Sequence, residues 1–126
     1  METQPDFKEL LVLFNEHKVD YLIVGGYALA FHGAPRYTGD IELLVRPDPA
    51  NAQRVLDALD AFGFKLPNLT AEDFMKPASV VQLGVPPVRI DIITGITGIT
   101  WADAAASKVP GTYGDVPVSY IGCDQY

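Results

Sequence analysis

Tyr21-Leu-Ile-Val-Gly-Gly-Tyr-Ala-Leu-Ala-Phe-His-Gly-Ala-Pro-Arg-Tyr-Thr-Gly-Asp-Ile-Glu-Leu-Leu-Val45 is the stretch that decides how the chain is read. It holds an apolar run, a glycine pair, a short helical segment, a turn and a second apolar run. The second run begins with two acids, Asp40 and Glu42, one residue apart. Side chains at i and i+2 of a strand point to the same face. Two carboxylates side by side on a core strand cost charge repulsion and desolvation. A bound divalent cation offsets that cost. Taken alone, the pair also fits a strand-start cap and a solvated edge residue, so the flanking sequence has to decide.

Upstream, Asp20 to Val24 is apolar and partly β-branched and stops at Gly25-Gly26, which predicts a buried strand. Tyr27 to His32 suits a short helix that Gly33 can end. The glycine pair therefore falls between a strand end and a helix start, where free backbone N–H groups can face an anion. By itself the pair reads as a tight turn. Ala34 to Gly39 reads as a loop and carries Arg36 and Thr38. Ile41, Leu43 and Val45 then alternate with Asp40, Glu42 and Leu44, a strand with two distinct faces closed by Arg46-Pro47.

Further out, Phe7, Leu10, Leu11 and Phe14 lie at i, i+3, i+4 and i+7 and predict a helix from Asp6 to Lys18, with Asp6 and Glu9 as a capping box. Asp48-Pro49 opens a second long helix, Pro49 to Phe62, ended by Gly63 and able to cross over between strands. Thr70 with Asp73 caps a single turn. A short strand is expected over Ser79 to Leu83, a break at Pro86-Pro87, and a clear strand over Val88 to Thr94. That strand turns Val88, Ile90 and Ile92 to one side and Arg89, Asp91 and Ile93 to the other. Gly95-Ile-Thr-Gly-Ile-Thr100 is a local loop, and a helix capped by Thr100 and Asp103 runs to about Lys108. Turns are expected at Pro110-Gly111 and Gly114-Asp115, and a last strand over Val116 to Ile121.

The chain's 126 residues suffice for one domain with a core, 1–126, and not for two. Hydrophobic content of 48% with 20% charged residues fits a folded globule. No apolar run reaches the roughly 18–20 residues of a membrane span, and the polar, acidic start is unlike a signal peptide. No membrane partner is expected. A single cysteine, Cys123, excludes an internal disulfide framework and suits a cytoplasmic location. The net charge of −7 argues against a broad nucleic-acid surface and leaves room for a local basic site.

Asp40, Glu42 and Asp91 are thus the acids that need partners. If their two strands are neighbours, the carboxylates converge at one end of a sheet. Three hard oxygen donors suit Mg²⁺, which also binds substrate phosphates. Arg89 shares a face with Asp91 and can pair with a carboxylate. His32 reads as a helix cap or packing residue, and Trp101 as core or rim.

The ordered set Gly25-Gly26-Tyr27-Ala28-Leu29, then Arg36-Tyr37-Thr38-Gly39-Asp40-Ile41-Glu42, then Asp91 on a later strand, resembles the nucleotidyltransferase superfamily with the DNA-polymerase-beta-like fold. Within it, the motifs look like those of AbiEii-type and related toxin-associated nucleotidyltransferases. The resemblance covers Asp20 to Thr94. It implies an α/β (α+β) domain with a mixed β-sheet flanked by helices. It also implies transfer of a nucleoside monophosphate from an NTP such as ATP to an acceptor hydroxyl, with Mg²⁺ or Mn²⁺ as cofactor. Asp40 and Glu42 match the paired metal-binding acids, and Asp91 matches the third, which in the family can help deprotonate the acceptor. Gly25 and Gly26 match the glycine motif that contacts the triphosphate. Arg36 and Thr38 match positions where a cation and a hydroxyl can hold phosphate. Acceptors in reach of the resemblance are a tRNA end, a protein hydroxyl or a small molecule, and a toxin–antitoxin partner protein is a further expectation.

The chain departs from the family pattern in three ways. Gly26 and Tyr27 stand where many members carry Ser, the second acid is Glu rather than Asp, and beside the family's usual C-terminal helices the stretch ending at Tyr126 reads as a minimal or truncated catalytic core. These departures leave a second function class open, a degenerate, non-catalytic binding or antitoxin-like module.

Overall fold

The computed structural model describes residues 4–33, 40–64, 67–85, 88–96 and 98–122. The first helix, α1 (Pro5–Glu16), starts one residue earlier than expected. Pro5 takes the first helical position, where a missing N–H costs nothing, and Gln4 is the cap, its side chain accepting from Asp6 N at 2.8 Å. The Asp6–Glu9 capping box is therefore replaced, and Asp6 lies in the first turn, where an acid complements the helix dipole. Phe7, Leu10, Leu11 and Phe14 are all buried as the periodicity requires. Each contributes about 1.5–3 kcal/mol of transfer free energy.

The strand β1 (Tyr21–Val24) runs directly into α2 (Gly25–Phe31), so the helix includes the glycine pair rather than following it. The strand β2 (Asp40–Val45) and the helix α3 (Pro49–Phe62) match their expected bounds. Asp48 caps α3 by accepting from Asn51 N at 2.8 Å, and Gly63 ends it at φ 109°. A 3₁₀ turn over Ala71–Phe74 carries the Thr70–Asp73 capping box. Then follow β3 (Val80–Val85), β4 (Val88–Ile93), α4 (Trp101–Ser107), β5 (Val109–Tyr113) and β6 (Val116–Tyr120).

These strands form one mixed six-stranded sheet in the order β3-β4-β2-β1-β6-β5. The central pair β1–β2 is antiparallel, β2–β4 and β1–β6 are parallel, and both edges are antiparallel hairpin pairs. The connection from β2 back to parallel β4 contains α3, as parallel neighbours require a crossover. Ile41, Leu43, Val45, Ile90 and Ile92, all on one face, are wholly buried in one cluster with the apolar stripes of α1 and α3. Among the described residues no helix is long and apolar enough to cross a membrane.

The expected turn at Pro110-Gly111 is a correction: both residues lie inside β5, paired with Ser119 and Val118. β5 is an edge strand, where proline's missing donor is tolerated. Gly111 stands against the Phe31–Tyr120 ring stack, where a Cβ would lie 2.7 Å from Phe31 Cε1. The turn at Gly114-Asp115 joins β5 to β6 as expected.

One buried side chain ties the sheet to α3. Asn51 is fully buried; it accepts from Asp20 N at 2.7 Å and donates through Nδ2 to Asp20 O and Arg46 O, both at 3.0 Å. It thereby satisfies backbone groups where β1 begins and β2 ends.

Candidate functional site

Strand register brings the acids together. Glu42 on β2 pairs with Val24 of β1 on one side and with Asp91 of β4 on the other, and Asp91 pairs with Gln82 of β3. In the parallel pair, Asp40 lies opposite Arg89. Neighbours in register share a face, so Asp40, Glu42, Arg89 and Asp91 form one polar patch on the face opposite Ile41, Leu43, Ile90 and Ile92. The residues are two apart on each strand because a strand repeats every second residue.

Arg89 is the patch's own cation. Its Nη2 lies 3.4 Å from Asp40 Oδ2 and 3.4 Å from Asp91 Oδ2. Both distances exceed the roughly 2.7–2.9 Å of a tight charge-assisted hydrogen bond. Asp91 is only 7% exposed, and its Oδ1 is buried without a hydrogen-bond partner, as is Arg89 Nε. Among the described residues, the Arg89 guanidinium lies against two of the three carboxylates. Glu42 registers the imbalance: burial, then the charges of Asp91 and Asp40, raise its pKa, and Arg89 opposes them.

Gly25 closes the patch from β1. It opens α2 at φ 69°, and a Cβ built there would overlap the Glu42 carboxylate, with the carboxyl carbon at 2.7 Å and Oε1 at 3.2 Å. With Glu42 in its present rotamer, only a residue without a side chain lets the backbone stand this close to it in this conformation. Gly26 follows in the same helix. Asp40, Glu42, Asp91 and Gly25 are therefore brought together, while Arg36 and Thr38 lie outside the described residues. His32 has the packing role expected of it, with Nε2 2.8 Å from Ile121 O at the end of α2. An open groove lined by Asn15, Asp20, Trp101, Lys108 and Ser119 involves none of these acids.

The three carboxylates come from two adjacent strands, and one has a buried oxygen lacking a partner; carboxylate oxygens are the donor type that a hard divalent cation takes. As the side chains stand, no group of three His, Cys, Asp or Glu among the described residues is arranged to hold an ion. The Arg89 guanidinium lies against two of the three acids. The pairing of Asp40 with Arg89, and the presence of Gln82 beside Asp91, depend on register between strands far apart in sequence. Strand alternation places Arg89 and Asp91 on one face but cannot say what stands opposite.

No protein-family model matches the chain, and no curated protein sequence matches it. Among solved structures, the fold is similar to that of a crystal structure from Thermotoga maritima that bears the name "putative nucleotidyltransferase". The TM-score is 0.66 at 14% sequence identity, over 98% of this chain and 81% of that one. At that identity the likeness shows the fold alone, here a mixed six-stranded sheet with four α-helices among the described residues.

Proposed function

We propose that the chain is a metal-dependent nucleotidyltransferase, of the AbiEii-like kind within the DNA-polymerase-beta-like superfamily. It transfers a nucleoside monophosphate from an NTP to an acceptor hydroxyl in the cytoplasm. The observation that carries the proposal is the register of β2 against β4, which sets Glu42 directly beside Asp91 and Asp40 two residues away on the same face. The similarity of fold supports it.

Asp40, Glu42 and Asp91 would hold Mg²⁺, or Mn²⁺ in its place. Bound there, the ion would supply positive charge to phosphate oxygens. Asp91 would accept the proton of the acceptor hydroxyl, a role supported by its near burial and its unpartnered oxygen. A bond then forms between the acceptor oxygen and the α-phosphorus, and the bond from that phosphorus to pyrophosphate breaks. Gly25 and Gly26 offer backbone to the triphosphate beside Glu42, and Arg36 and Thr38 are assigned to phosphate oxygens. The acceptor belongs to the class of tRNA ends, protein hydroxyls or small hydroxylated molecules.

The test is incubation of the chain with α-labelled NTPs, Mg²⁺ and a cell extract. A labelled acceptor with release of pyrophosphate is expected, and Asp40→Ala should abolish it while leaving the fold intact. Labelling unchanged by Asp40→Ala would refute the assignment. A second reading, a non-catalytic binding or antitoxin-like module with a protein partner, is favoured by one observation: Arg89 already lies against two of the acids. A chain that binds no Mg·NTP would support that reading.

A further inference from the structure

Arg89 does something that the proposed reaction does not require. Three carboxylates crowd one sheet face, and among the described residues Arg89, a cation of the chain itself, lies against two of them. Its position follows from topology. Arg89 lies two residues before Asp91 on β4, and the parallel register sets it opposite Asp40 on β2. One nitrogen, Nη2, is shared between Asp40 and Asp91 at equal distances of 3.4 Å. It thus sits between two oxygens that a divalent ion would bind.

The hold is loose. Both contacts are long for an ion pair, Arg89 Nε has no partner, and Asp91 Oδ1 has none either. The Arg89 side chain is 34% exposed, so its head group has a way out to solvent. A guanidinium cannot give up its charge, so it cannot make room by losing a proton. It has to move. A divalent ion entering between Asp40 and Asp91 would meet the guanidinium at contact distance, where repulsion between the two is large.

We propose that Arg89 is a built-in competitor of the divalent ion: its guanidinium holds Asp40 and Asp91 together in the metal-free protein and swings aside when the ion binds. This rests on the metal site proposed above. Arg89 is a positioning residue in this role, since it acts through the two carboxylates. It keeps the acid row assembled without metal and weakens the apparent affinity for metal by the cost of its own displacement. The site is therefore poised to respond to the concentration of free divalent ion.

The test is calorimetric titration of the full chain with MnCl₂, for wild type, Arg89→Gln and Arg46→Gln. Arg46 lies just beyond the other end of β2 and pairs with Asp20 and Asp48, so its variant removes the same charge away from the site. Arg89→Gln should bind Mn²⁺ about tenfold more tightly than wild type. It should also unfold at a lower temperature in chelator and recover when Mn²⁺ is added. Arg46→Gln should bind as wild type does. Equal or weaker binding by Arg89→Gln, with wild type binding, overturns the competitor role and leaves the metal site standing. No binding by wild type or Arg89→Gln overturns both. The wild-type protein gives an independent readout should the variant fail to fold: the Arg89 Nε–H signal in NMR. Mg²⁺ should shift it and speed its exchange with water, and an unmoved signal at saturating Mg²⁺ overturns the proposal.

Discussion

Replacing Gly25 by alanine tests the closest contact between the glycine motif and the acid row. Two separate costs are expected. Gly25 sits at φ 69°, a left-handed conformation that costs an L-residue about 1–2 kcal/mol. The new Cβ would also overlap the Glu42 carboxylate, whose carboxyl carbon lies 2.7 Å away. Glu42 is a flexible side chain and can yield, but only by leaving its present rotamer, at about 0.5–1.5 kcal/mol. Gly25→Ala should therefore destabilise the chain by roughly 1.5–3.5 kcal/mol in all. The two costs separate in a double-mutant cycle. In a Glu42→Ala background the steric part disappears and only the backbone part, about 1–2 kcal/mol, remains. Urea unfolding of the four proteins in chelator, followed by circular dichroism, measures both. Equal cost in the two backgrounds would refute the overlap with Glu42, and no cost in either would refute the left-handed backbone at Gly25.

Two further outcomes follow from side chains around the sheet. Asn51→Ala removes the partner of Asp20 N, Asp20 O and Arg46 O and leaves buried backbone groups unsatisfied, so the urea midpoint should fall by the equivalent of about 2–4 kcal/mol. A cost near that of an exposed Asn→Ala change would show that the joint is not as described. Glu42 ties stability to pH. Its pKa is raised from the ordinary 4.5, so the folded chain holds the proton more tightly than the unfolded chain does. Its destabilising effect is therefore absent below that ordinary value and grows as pH rises through the interval up to the raised value. In chelator, Glu42→Gln should be more stable than wild type at about pH 7, with the difference shrinking toward about pH 4. A difference that grew on acidification would contradict this sign.

Much of the sheet was legible in the sequence, for reasons that differ between elements. β2 and α3 have the expected bounds because each carries both a periodic apolar pattern and a terminal signal: alternation closed by Arg46-Pro47, and a stripe between Asp48-Pro49 and Gly63. Where a terminal signal could be read in two ways, the boundary moved, as at Pro5, which starts α1 ahead of Asp6. β5 escaped because its Pro110-Gly111 pair is ordinarily a turn signal, and only its place at the sheet edge makes it a strand. Of the candidate site, the face shared by Asp40 and Glu42 could be read from their spacing alone. That Asp91 stands beside Glu42, and Arg89 beside Asp40, depends on the strand order β4-β2-β1, set by long-range packing that local sequence does not encode. Asn51 gave no signal either, since a polar residue in the first turn of a helix is usually exposed. The joint it makes exists only once β1 and β2 are paired.

The acid row as a metal–nucleotide site is tested most directly by calorimetric titration of Mg·NTP into wild type and Asp91→Asn. The substitution keeps the shape of the side chain and removes its charge. Wild type should bind at least one NTP in the presence of Mg²⁺ and not in chelator, and Asp91→Asn should bind it at least about tenfold more weakly. Wild type that binds none of the NTPs, or Asp91→Asn that binds as tightly as wild type, would contradict a nucleotide site built on these three acids.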